Sequence, residues 1–450
     1  MPLNRDLLDH LGARGAAAVP ALLELRRRLR DAEISPLPLA AVPLVLDAPE
    51  HALLVDTATR LCAALEDATL AVFGGLPEAM RALRVHPAIA PFVRAEIPHQ
   101  VRLARCDFQH SPDGWRGVEI NLTGGLGGMT VRDFDEVVRA DPFLADFIAQ
   151  HGLGNDSPPQ VLARTVRTYC DSLGLAEHPT VALLDWQGFE LDHVREYAEI
   201  MAAYRAQGFR TLVGHHREAA HRDGRLWCRG QPVDVVHRTF LLEDLPTDPD
   251  SARPVLDAAA DGGVVLVSSF RDEWYASKAG FVVLREALAR GVLSPETARR
   301  VAEAVPRTWL LVGEEDERAA ERWTVSPREA YRRDPRELVL KPVIGSHGQG
   351  VLLGVETDPE VFRAAVAAAA RDPQPHVLQE FIPPGPVPFP LLADRLTVVP
   401  QQVAAGVYLA GGGFAGMRSW MMPHGRPAAF NSANGVMIGS IWSPRRDGPA

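Results

Sequence analysis

Lysine is almost absent from this chain. Lys278 and Lys341 are the only two, so the other 45 of the 47 basic side chains are arginine. A chain that uses arginine nearly everywhere keeps lysine where a compact ammonium cannot give way to a planar guanidinium fork. Cysteine is also scarce. Cys62, Cys106, Cys170 and Cys228 are scattered, with no C-x-x-C and no Cys/His ligand spacing. That argues against a disulfide framework or a zinc site and suits reduced, mostly buried thiols in a cytoplasmic protein. Positive charge is in the minority: the net charge is −10 and the pI about 5.9, which argues against nucleic-acid partners. The one basic run, Arg26-Arg27-Arg28-Leu29-Arg30, follows Leu22, Leu23 and Leu25 and reads as the solvated face of an amphipathic helix. No apolar run approaches the roughly 18 residues of a membrane span, and no signal-type segment opens the chain, so no membrane partner is expected.

What is present is an ordinary globular composition, 46% apolar and 23% charged over 450 residues, enough for two or three compact units. Lys341 ends the apolar run Leu338-Val339-Leu340. A glycine-rich stretch follows, Gly345-Ser346-His347-Gly348-Gln349-Gly350, and then a second apolar run from Val351. A cation beside a run of backbone N–H donors is what a polyphosphate requires. This is not a P-loop, because a strand rather than a helix follows the glycines. Gly411-Gly412-Gly413-Phe414-Ala415-Gly416 matches G-x-G-x-x-G, but no acidic residue stands between it and Arg446, and it reads as a hairpin turn.

The other concentrated signal lies at 103–121, two strands around Ser111-Pro112-Asp113-Gly114. Strand side chains alternate, so Arg105 and Asp107 share a face, as do Glu119 and Asn121, while Cys106, Phe108, Val118 and Ile120 form an apolar one. Two carboxylates, a carboxamide and a guanidinium on one face suit Mg²⁺ beside phosphate. A solvated face with a simple Arg–Asp ion pair fits the same pattern. Elsewhere, residues 1–95 read as helices broken by Pro36, Pro38, Pro43 and Pro77. A strand–helix–strand unit with a hairpin across Gly230-Gln231 occupies about 178–245, and Lys278 falls on a helix. The Pro-rich stretch 383–390 reads as a loop.

The order Arg105-x-Asp107, Glu119-x-Asn121, α/β unit, Lys278, Lys341 with its glycine loop, Gln379-Glu380-Phe381 resembles the circularly permuted ATP-grasp ligases related to glutathionylspermidine synthase, over roughly residues 100–445. The resemblance implies an α/β fold with α+β elements, cut as follows. Residues 1–95 form a helical region of unassigned role, and 96–175 hold the metal-binding hairpin and helices. A small pre-ATP-grasp domain covers 176–250, and the nucleotide lobe with its glycine loop covers 260–375. The hinge and the rest of the metal-binding lobe take 376–450. It further implies ATP and Mg²⁺ as cofactors, with Asp107, Glu119 and Asn121 holding the metal and Arg105 meeting the γ-phosphate. Lys278, Lys341 and the 345–350 loop would contact phosphates. Gln379 and Glu380, with the Phe381–Ile382 backbone, would form the adenine and ribose edge, and Arg418 would supply a further phosphate contact. The implied activity is a carboxylate–amine ligase. A kinase-like phosphotransferase and a non-catalytic nucleotide-binding relative are the alternatives. Arg238 and Arg271 are candidates for a substrate carboxylate and equally for structural ion-pair arginines. The expected acid and amine are small molecules, with a carrier protein as a further candidate partner, and no signal sets an oligomeric state. Asn431 and Asn434 are expected near the floor of the site.

Overall fold

The computed structural model describes all residues except 33–36, 130, 187–190, 347, 393–395, 426–429, 431–434 and 446–450. His347, Asn431 and Asn434 thus lie outside the described residues.

The largest sheet has eight strands. Its main path runs Leu44–Val45, Met437–Pro444, Gly413–Pro423, Leu396–Ala410, Leu103–Ser111, Gly114–Leu122. The early hairpin and the C-terminal strands, distant in sequence, are therefore neighbours. Asp107 lies opposite Gly406, and Gly406 opposite Arg418. Gly411 and Gly412 form the turn between two of these strands. The sheet's reverse face carries Cys106, Phe108, Ile120 and Leu122, which share one core with Leu54, Ala58, Leu61 and Leu65 of the helix Ala48–Phe73. That helix has the 3–4 spacing of an apolar stripe. Asp47 caps it by accepting from the Glu50 N–H, and Gly74, left-handed at φ 83°, ends it. Helices and a strand among the described residues of 1–95, which gave no functional signal, thus pack on the back of this sheet and add to its edge.

Val387–Leu392 is a strand on Leu396–Gln401, although its prolines suggested a loop. Among the described residues only one of its edges is paired, so the missing N–H groups of Pro388 and Pro390 cost no ladder bond.

A second sheet is wholly parallel, in the order Gln100–Val101, Val265–Val267, Val235–Arg238, Thr180–Asp185, Arg210–His215. Its inner strand Val181–Leu184 is fully buried, as expected of a parallel sheet. The anticipated hairpin strand through Val233–Val236 breaks at Asp234. The Asp234 carboxylate accepts from the Thr180 N–H (2.8 Å), so Gln231–Val233 stays antiparallel to Arg225–Cys228 while Val235 onward joins the parallel sheet. The third large sheet runs Thr324–Val325, Thr308–Leu311, His376–Glu380, Leu338–Pro342, Leu352–Leu353, and shares a core with the helix Pro359–Ala369. Among the described residues, no helix is long and apolar enough to cross a membrane.

Candidate functional site

On the front of the eight-stranded sheet, strand register sets Asp107 opposite Glu119 and Arg105 opposite Asn121. The Arg105 fork binds Asp107 through Nε–Oδ1 (2.7 Å) and Nη2–Oδ2 (2.8 Å), and its Nη1 donates to Gly127 O (3.0 Å). Burial pushes the Asp107 carboxyl above the ordinary carboxylate range. Arg105 opposes that shift, and the facing Glu119 adds to it. One residue departs from the expected alternation. The register slips between Asp107 and Phe108, so that Phe108 opposes Gly117 and Val118 is the extra residue of a bulge. Gly117 takes the inward position, where a Cβ would meet the Phe281 ring at 3.3 Å. Val118, expected in the core, turns toward the site instead.

Its carbonyl faces Lys341. The Lys341 Nζ donates to Val118 O (3.3 Å) and to Gln379 Oε1 (2.6 Å), and the Gln379 amide is oriented in turn by donating to Thr308 Oγ1 (3.1 Å). An ammonium has three donors, and among the described residues these two acceptors leave one over. Burial, assisted by nearby Lys278 and opposed by Glu119, pushes Lys341 down to about 8. Lys278 sits at the N-cap position of the helix Ala279–Arg290, and its Nζ donates to Gly345 O (2.6 Å), tying that helix to the glycine loop. Gly348 and Gly350 have φ of 72° and 69°, a region that favours glycine. Ser346 Oγ donates to the Glu243 carboxylate.

These groups converge. A cavity of about 450 Å³ is lined by Arg105, Asp107, Glu119, Asn121 and Arg418 from the sheet, and by Lys341, Ser346 and Gly348 from the facing lobe. Gln379, Glu380, Phe381 and Ile382 border it as well. An adjoining smaller pocket shares Glu119, Asn121 and Ser346 and adds Lys278 and Gly345. Gln349 and Gly350 line neither. The expected base-binding edge is largely committed within the protein: Gln379 serves Lys341, Glu380 Oε2 accepts from the Arg307 N–H (3.1 Å), and the Phe381 N–H donates to Glu337 O (2.8 Å).

Arg238 and Arg271 line neither pocket, and of their two readings the surroundings favour the structural one. Arg238 is fully buried, paired with Glu273 Oε2 at 2.7 Å and stacked 4.4 Å from the Phe270 ring centroid. Arg271 donates to Val93 O (2.9 Å) and Arg94 O (2.6 Å), satisfying carbonyls at the end of the helix Ala90–Arg94. Both do structural work.

Several cavity residues escaped the sequence reading. Gln109, whose Nε2 donates to Ile382 O (2.7 Å), continues the face of Arg105 and Asp107, and alternation extended by two residues would have found it. Trp420 stands two residues beyond Arg418 and answers to the same signal. The apolar wall Val339, Val351 and Leu353 carries no such mark. Gly128 admits Arg418, whose Nη1 passes 1.0 Å from where a Cβ would stand. Tyr408 Oη donates to Gly127 O and Gly128 O (both 3.0 Å), pinning that loop.

No protein-family model matches the chain, and no curated protein matches its sequence. Solved structures do match. A glutathione synthetase-like effector (GSS30) from Globodera pallida, in the apo form, aligns over 94% of this chain and 96% of its own, with TM-score 0.61 and 12% identity. A candidate gamma-glutamylcysteine synthetase from Methylobacillus flagellatus KT aligns over 89% of each chain, with TM-score 0.47 and 11% identity. The first likeness shows a shared fold across nearly the whole length of both chains.

Proposed function

We propose that the protein is an ATP-grasp enzyme of the permuted type, an ATP- and Mg²⁺-dependent carboxylate–amine ligase. The observation that carries this reading is the convergence on one cavity of Lys341, Arg418 and Arg105 with Asp107, Glu119 and Asn121. It is supported by the fold shared with a glutathione synthetase-like protein. The donor set fits a hard divalent cation. Asp107, Glu119 and Asn121 offer only oxygen ligands, and two carboxylates face each other across the hairpin, where burial disfavours the charge of Asp107. Bound there, Mg²⁺ would neutralise phosphate charge.

The chain's own contributions follow from the geometry. Lys341 keeps one N–H for a phosphate oxygen. Arg418 brings a guanidinium whose Nε is buried without a hydrogen-bond partner among the described residues. The glycine loop supplies backbone donors. Phosphoryl transfer asks for charge neutralisation and alignment rather than a protein nucleophile. In the proposed reaction the acid's carboxylate takes the γ-phosphoryl group and ADP leaves. The amine then displaces phosphate from the acyl phosphate, forming an amide. ADP release that requires both an acid and an amine is the expected result of a screen across amino acids and amines. ADP release with a stable phosphorylated product would instead establish a phosphotransferase.

A pH dependence follows from Lys341. Bound phosphate favours its protonated form and raises its pKa above the ligand-free value near 8. ATP binding therefore takes up a proton above that pH. Affinity is expected to be flat below about 8 and to fall up to tenfold per pH unit above it. Calorimetry at pH 8.5 in buffers of differing ionisation enthalpy would read the proton directly, and equal heats in all buffers would refute the linkage.

A further inference from the structure

The floor of the cavity contains an aromatic device that the nucleotide reading leaves unused. Gly406 lies at its centre, between Asp107 on one neighbouring strand and Arg418 on the other. The Trp420 indole fills the space above it: a Cβ on Gly406 would stand 2.7 Å from both Cη2 and Cζ3 of the ring. Two guanidiniums share that ring, Arg105 at 5.0 Å from a ring centroid and Arg418 at 4.5 Å. Two like charges on one ring each need an attraction of their own to hold them there. Arg105 is anchored by Asp107. Arg418 is only 6% exposed, makes no ion pair among the described residues, and has its Nε buried without a hydrogen-bond partner. Yet it stands near enough to Asp107 to favour that carboxylate's ionised form. In a buried site a guanidinium beside a carboxylate closes onto it unless another attraction competes, and the indole face supplies that attraction.

We propose that Trp420, seated on the side-chain-free Gly406, is a positioning residue that holds Arg418 away from Asp107 and turned toward the cavity, available to an anionic ligand. Its functional consequence rests on the nucleotide reading above; its seating does not. The requirement is for a flat π face at position 420 and for no Cβ at position 406. A leucine at 420 fills volume without holding the cation. A phenylalanine keeps a face but lacks Cη2 and Cζ3, the two atoms nearest a Cβ on Gly406; the next, Arg105 Cδ at 3.1 Å, ends a flexible side chain and can shift.

Two measurements test this on the full-length protein. In thermal unfolding without ligand, Gly406→Ala is expected to lower Tm by about 3 °C or more, and adding Trp420→Phe to recover at least half of that loss. In calorimetric titration with ATP and Mg²⁺, Trp420→Phe is expected to stay within about threefold of the wild type, and Trp420→Leu to lose about tenfold or more while remaining folded. No thermal recovery in the double variant overturns the seating. Wild-type affinity in Trp420→Leu overturns the positioning of Arg418. Failure of the wild-type protein to bind ATP refutes the nucleotide reading and the role given to Arg418 with it, and leaves the thermal result to decide the seating alone.

Discussion

Glu119→Gln is expected to lower turnover by about three orders of magnitude or more, with Tm nearly unchanged. The substitution keeps shape and removes one of two charges that face each other across the hairpin. In the ligand-free protein that charge is of little structural use, because no ion pair binds Glu119 among the described residues, and relieving its repulsion of Asp107 offsets the loss of its attraction for Lys341. Asp107→Asn should be equally inactive but less stable. Asp107 is the bidentate partner of Arg105, and removing its charge leaves a buried guanidinium uncompensated. Breaking such a pair typically costs about 3–5 kcal/mol. ADP-release rates together with thermal unfolding separate the two effects. Normal turnover in either variant would remove the hairpin from the site, and equal Tm losses in both would contradict the charge arrangement described here.

The part of the site legible in sequence is the part governed by local periodicity. Arg105, Asp107, Glu119 and Asn121 were assigned one face because strands alternate, and the structure puts them there. Val118 failed the same rule because a bulge is decided by what packs beneath. Gly117 must approach the Phe281 ring, a contact 164 positions away that no local pattern encodes. Lys341 stood out through composition, but its setting did not. Gln379 lies close by only because two distant strands pair, so a residue expected at the base-binding edge proves to orient the lysine. The arginines show the opposite failure. In a chain with 45 of them, a buried structural arginine and a ligand-binding one look alike in sequence. Arg238 and Arg271 declare themselves only through Glu273 and the carbonyls of Val93 and Arg94.

The rarity of lysine leads to the second large effect. Lys341→Arg is expected to be nearly as damaging as Lys341→Ala, each lowering kcat/KM by about 10²–10³, with the two within tenfold of each other. Lys341 is 6% exposed, and its ammonium is held between Gln379 Oε1 and the carbonyl at the Val118 bulge. A guanidinium is broader and planar. To enter that space it would have to displace the Gln379 amide, which Thr308 fixes from the far side, or push the Val118 carbonyl back toward its strand. Overpacking of this kind commonly costs about 1–3 kcal/mol even before function is considered. Charge works in the same direction. Burial already brings Lys341 down to about 8, so the lysine can shed its proton only slightly above neutral pH, whereas an arginine stays charged and bears the full desolvation cost. Alanine removes the cation but leaves Gln379 and the bulge in place. The decisive measurement is kcat/KM for ATP in both variants beside their Tm values. Arginine is expected to lose both activity and stability, and alanine chiefly activity. An arginine variant within tenfold of the wild type would mean that chance rather than chemistry kept lysine at this position.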